Sequence, residues 1–115
     1  MNMQPRICSR RSGRLAKRIP LTLRWQSPGC DFEDYAAETR VLSKYGCKVV
    51  CGGRARLGTE VFVLHSEGGK SAKARVIYRE VTGRGPEVAL ALEFIGTSNF
   101  WQMDFPPAPG AFAVS

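Results

Sequence analysis

No aspartate or glutamate occurs in the first thirty residues of this 115-residue chain. That stretch carries Arg6, Arg10, Arg11, Arg14, Lys17, Arg18 and Arg24. Residues 31–115 hold the other ten basic residues and all ten acidic ones, so the whole formal charge of +7 belongs to the first quarter. Such a distribution argues against a broad basic nucleic-acid surface. It favours a local anion grip on an electrically neutral body.

Other shortages exclude further classes. No stretch approaches the roughly 18 consecutive apolar residues of a membrane span. No apolar segment follows the basic N-terminus before Ile19, which argues against a secretory signal, and Arg10-Arg11 lacks the apolar stretch of a twin-arginine export signal. An acid-free leader with arginine and serine also suits an organelle transit peptide, but Pro5, Gly13 and the lack of a clean amphipathic period speak against it. A cytoplasmic protein without a membrane span is expected. His65 is the only histidine, and Cys8, Cys30, Cys47 and Cys51 match no C-x2-C zinc pattern, so no metal site is expected. Cys47 and Cys51 sit four apart on one extended strand, about 13 Å by strand rise, too far for a disulfide. Reduced thiols pointing inward with Val49 are the expectation.

Helical periodicity is nearly missing too, and strand signals fill its place. Residues 1–17 have few apolar residues and read as a flexible basic leader. From Ile19, apolar Ile19, Leu21, Leu23 and Trp25 alternate with Pro20, Thr22, Arg24 and Gln26. After a Ser27-Pro28-Gly29 turn, Phe32–Leu42 reads as a second strand, with Tyr35, Ala37, Thr39 and Val41 on one face. Cys47–Cys51, Glu60–His65, Ala72–Val81 and Glu87–Ile95 complete six strands. In the fifth, Ala72, Ala74, Val76 and Tyr78 share a face. In the sixth, Val88, Leu90, Leu92 and Phe94 point inward.

Six short strands joined by turns predict an all-β, six-stranded antiparallel barrel over residues 18–105, closed because closure removes exposed edges. A short helical turn around Asn99–Phe105 supplies aromatics to plug one end. Residues 106–115, with Pro106, Pro107 and Pro109, read as a disordered tail. Trp25, Tyr78, Phe94 and Trp101 have the spacing of core residues, and His65 that of a barrel rim. Asp31, Glu33 and Asp34 form a solvated acidic loop. No catalytic constellation is present, and an enzyme is not expected.

Two short motifs carry chemistry. Arg14-Leu15-Ala16-Lys17-Arg18 is an R-x-x-x-R before the first strand, and Arg10 stands at the same spacing ahead of Arg14. Guanidinium forks bind phosphates bidentately, stack on bases and address guanine O6 and N7. At the end of the second strand, Ser43-Lys44-Tyr45-Gly46 can form a tight turn offering a hydroxyl and backbone N–H groups to an anion. Each motif alone has a plain reading, as a solvated basic tail and as ordinary turn chemistry.

In this order the two motifs resemble those of PilZ domains, bacterial receptor modules for cyclic di-GMP. That family carries R-x-x-x-R at the base of its first strand and [D/N]-x-S-x-x-G after its second, on a six-stranded antiparallel barrel. The resemblance covers residues 10–105. It places Arg14 and Arg18 at the two arginine positions, and Ser43 and Gly46 at the serine and glycine. Thr39 matches a threonine often found two residues before the second motif. It implies a non-catalytic regulatory domain in which Arg14 and Arg18, helped by Arg10 or Arg11, close on cyclic di-GMP while Ser43 and Gly46 hold its other side. It implies no cofactor, and a downstream protein partner that senses the ordered leader.

Val41 departs from the pattern, where the family has Asp or Asn. An isopropyl group neither donates nor accepts a hydrogen bond. The loss costs on the order of 1–3 kcal/mol if a ligand group goes unpaired, about one to two decades in affinity. A degenerate adaptor that binds protein but no nucleotide is therefore the second reading. Salt-sensitive, non-specific nucleic-acid binding through the leader is weaker, given the neutral body.

Overall fold

The computed structural model describes residues 13–65, 67, 69–83, 85–97, 100–103 and 105. They form seven strands: β1 (Arg14–Ala16), β2 (Pro20–Gln26), β3 (Phe32–Ser43), β4 (Gly46–Cys51), β5 (Glu60–His65), β6 (Lys70–Val81) and β7 (Val88–Phe94). All pairings are antiparallel. The strands run in the order β1-β3-β2-β5-β6-β7-β4, and β4 pairs back onto β3. Six strands thus close a barrel, and β1 is an addition to it.

The alternation read from the sequence is what closes it. Leu21, Leu23 and Trp25 from β2, Val61 and Val63 from β5, and Val88, Leu90, Leu92 and Phe94 from β7 are all buried. Cys47, Val49 and Cys51 face inward from β4, as expected for three same-face positions. Burial pushes the Cys47 thiol up to about 12. Phe100 and Trp101 join the core from beyond β7, packing on Phe94, with ring centroids 4.9 and 5.8 Å away, and on the half-buried His65 at the rim. The expected helical turn at 99–105 falls partly on residues outside the described set. The leader's residues 1–12 and the tail 106–115 lie there as well.

Three differences from the sequence reading matter for function. Arg14–Ala16, read as leader, is a strand: it pairs with Val41–Ser43, on the edge of β3 whose earlier half is taken by β2. The second difference is at β3, whose register against β4 shifts between Thr39 and Val41. This bulge puts one extra residue on the strand, so Leu42, not Val41, follows Thr39 into the core. Val41 faces the outer surface instead. The third is a matching shift between Val76 and Tyr78 on β6. Tyr78, expected in the core, is 51% exposed, beside Ile77 at 53%.

Thr39 governs the first of these differences. Among the described residues it is the one buried polar side chain. Its hydroxyl accepts from the Ile19 N–H at 2.8 Å and donates to the Lys17 C=O at 2.7 Å. Its own N–H donates to the Ile19 C=O at 3.0 Å, and the Lys17 N–H donates to the Arg40 C=O at 3.3 Å. The link between β1 and β2 is therefore tied down opposite the bulge, where ladder pairing alone would lapse.

Candidate functional site

Pairing places residues from distant parts of the chain in rows across the outer surface. Leu42, Cys47, Leu92 and Val76 are register partners across β3, β4, β7 and β6, and all are buried. The rows on either side of a buried row face outward. One of them runs Arg14, Ser43, Gly46, Glu93 and Arg75. The other runs Ala16, Val41, Lys48, Ala91 and Tyr78. Between them lies an open groove of about 420 Å³, whose lining includes Arg14, Val41, Ser43, Lys48, Tyr78 and Glu93.

The structure thus brings three of the expected site residues together. Arg14 is exposed at one end of the groove, two strand spacings, or roughly 10 Å, from Gly46. Ser43 is half-buried, and its hydroxyl donates to the Gly46 C=O at 3.4 Å, closing the turn that separates β3 from β4. Gly46 is buried for a reason of packing. A Cβ there would stand 2.1 Å from the Leu92 carbonyl oxygen, so only glycine lets β4 approach β7 at this point. The Gly46 carbonyl also accepts from the Trp101 indole N–H at 3.3 Å, linking the groove's floor to the aromatic plug.

Arg18 is not brought to the groove. It lies in the link after β1, with a largely exposed side chain 3.8 Å from Glu38 Oε1. Glu38 also pairs with Arg40. The R-x-x-x-R is therefore split: one arginine at the groove, the other beside a carboxylate at its flank. Arg10 and Arg11 lie outside the described residues.

Lys48 and Glu93 were not singled out from the sequence and Tyr78 was assigned to the core, yet all three line the same groove as Arg14. A lysine and a glutamate on outward strand positions are ordinary, and only the register joins them. Arg14 and Lys48 make two of its edges basic, while Glu93 adds one carboxylate. Further round the barrel, Arg75 stands opposite Glu93 in register and holds Glu60 at 3.6 Å, with Lys73 also 3.8 Å from Glu60. The groove combines exposed cations, an apolar stretch at Val41 and Ala91, and an aromatic face at Tyr78. Such a surface suits a small anion that carries flat apolar groups. Compared with protein-family models, curated proteins and solved structures, the chain matches none. Among the described residues, no helix is long and apolar enough to cross a membrane.

Proposed function

We propose that this chain is a non-catalytic receptor domain for cyclic di-GMP, a PilZ-like module that binds the dinucleotide in the groove between β1, β3, β4, β6 and β7. The observation that carries this reading is the single row of Arg14, Ser43 and Gly46 beside the groove. Residues separated by up to 32 positions in sequence meet there: one of the two arginines of the first motif, with the serine and glycine of the second. Arg14 offers a bidentate fork to a phosphate, and Lys48 a second positive charge. Tyr78 and the apolar wall suit a purine. A ligand bound there would change the surface presented to a cytoplasmic protein partner in a signalling response.

Calorimetric titration of the full chain with cyclic di-GMP tests it. Arg14→Ala is expected to weaken binding about tenfold or more, since a charge-assisted bidentate contact is lost. Arg18→Ala is expected to act less, given its place beside Glu38. Absence of heat at high micromolar ligand with the natural sequence refutes the proposal.

One observation favours an adaptor that binds no nucleotide. Val41 lines the groove itself, where the motif requires an Asp or Asn, so the missing polar group cannot be dismissed as remote. Val41→Asn separates the readings. Binding in the natural sequence supports the receptor, and binding only in Val41→Asn supports the adaptor.

A further inference from the structure

The row that passes through Val41 holds the groove's second cation. The bulge after Thr39 turns Val41 outward and sets it directly opposite Lys48 across the β3–β4 pairing. Val41 brings no hydrogen-bonding atom to this point of the groove, so the polar head there is the Lys48 ammonium. Lys48 is exposed, and its other row neighbour, Ala91, presents only a methyl group. Beyond Ala91 in the same row stands the half-exposed Tyr78, two strand spacings or roughly 10 Å from Lys48. Glu93, the carboxylate of the lining, lies in the other row with Arg75 opposite it in register. A flat ring laid on Tyr78 therefore extends over the small Ala91 side chain and turns its edge towards Lys48. Arg14 sits in the other row at the β1 end, where a ligand's phosphates belong.

What edge Lys48 can read follows from hydrogen-bond chemistry. An ammonium group only donates. Guanine presents two adjacent acceptors, N7 and O6, and one lysine can serve both. Adenine keeps N7 but carries an amino donor where guanine has O6, so the ammonium would meet a donor there. We infer that Lys48 reads the base in this groove through N7 and O6, with Tyr78 as the surface on which that base stacks, and thereby selects guanine over adenine. The inference rests on the nucleotide reading above. It gives the hydrogen bond that Val41 cannot make a substitute from the neighbouring strand.

Substitution by glutamine makes the test sharp. A carboxamide offers one donor and one acceptor, the complement of adenine's N7 and amino group and not of guanine's paired acceptors. The full chain and its Lys48→Gln and Lys48→Arg variants are titrated with cyclic di-GMP and cyclic di-AMP. The natural sequence is expected to prefer the guanine ligand about tenfold or more, the discrimination typical of one bidentate contact. Lys48→Arg is expected to keep that preference, since a guanidinium addresses the same two acceptors. In Lys48→Gln the ratio is expected to collapse or invert, and retained binding of cyclic di-AMP there shows that the groove is still folded. Tyr78→Ala is expected to weaken both ligands about tenfold without changing their ratio, and unchanged affinity there would overturn the stacking. If the natural sequence binds and Lys48→Gln weakens both ligands alike, Lys48 serves a phosphate. The inference is then overturned and the receptor reading survives. If the natural sequence binds neither ligand, the receptor reading itself falls, and the inference with it.

Discussion

Replacing Thr39 by valine removes one hydroxyl and little else, because the two side chains have nearly the same shape and both suit a strand. The consequences can be counted. The Ile19 N–H loses its acceptor at 2.8 Å, and Ile19 is only 7% exposed, so water does not replace the bond. An orphaned buried donor costs about 1–3 kcal/mol. The Lys17 C=O loses its donor at 2.7 Å, but Lys17 is exposed and its carbonyl can hydrate, adding at most about 0.5 kcal/mol. The sum is about 2 kcal/mol. With a urea m-value of about 2 kcal/mol/M for a chain of this size, the midpoint falls by about 1 M. A domain of ordinary stability survives that loss, so the variant still folds. The control is Thr39→Ser, which keeps both hydrogen bonds and gives up one methyl group, about 1 kcal/mol. Urea unfolding followed by the fluorescence of Trp25 and Trp101 reports both. A loss under about 0.5 kcal/mol in Thr39→Val would falsify the reasoning. So would a Thr39→Ser variant as damaged as Thr39→Val, since that would place the cost in packing and not in the hydrogen bonds.

The remaining predictions concern the groove's floor and the barrel's core. Gly46→Ala forces a methyl onto the Leu92 carbonyl, backbone against backbone, and is expected to cost about 1–3 kcal/mol, read as a lowered melting temperature. An unchanged melting temperature would mean that β4 and β7 do not approach as closely as described. Because burial raises the Cys47 thiol to about 12, the folded chain keeps a proton that the unfolded chain releases near its ordinary value of 9.0. Stability is therefore expected to be whole below pH 9 and to fall as pH rises from there towards 12. Cys47→Ala should make that alkaline limb shallower in pH-dependent unfolding, leaving the smaller contributions of Cys51 and Tyr35, whose folded forms also hold their protons more tightly.

Much of the barrel was legible because half-buried strands announce themselves by alternation. The Leu21-Leu23-Trp25 and Val88-Leu90-Leu92-Phe94 series each specify a face, and six strands follow from such series. β1 carries no such signal. Its three residues are fixed by backbone pairing to β3 and by the Thr39 clamp, and Leu15 is only partly buried. Bulges are equally silent in sequence. One extra residue at Arg40 or Ile77 leaves composition and apolar content unchanged, yet reverses which neighbours face the core. Hence Val41 was placed on the same face as Thr39, and Tyr78 in the core. For the site, the motif spacings pointed to Arg14, Ser43 and Gly46, which meet. They could not point to Lys48, Tyr78 or Glu93, which join only through strand register. Nor could they tell that Arg18 would rest beside Glu38 while Arg14 reached the groove.

The barrel closes through β3 and β4 whether or not β1 is in place. Three residue pairs on one edge hold that strand, and no neighbour covers its other edge among the described residues. Its opening free energy is therefore a local quantity, well below that of the whole domain. Detached, it takes Arg14 with it and leaves the ring of six intact. Any anion held by Arg14 binds only the fraction of molecules in which β1 is docked, and apparent affinity falls in proportion to that fraction. The clamp at Thr39 thus sets a population as well as a shape: changes far from the groove that loosen Lys17–Ile19 would tune binding without touching a ligand contact. Amide exchange at Leu15, compared with Leu90 in the core, measures that population directly.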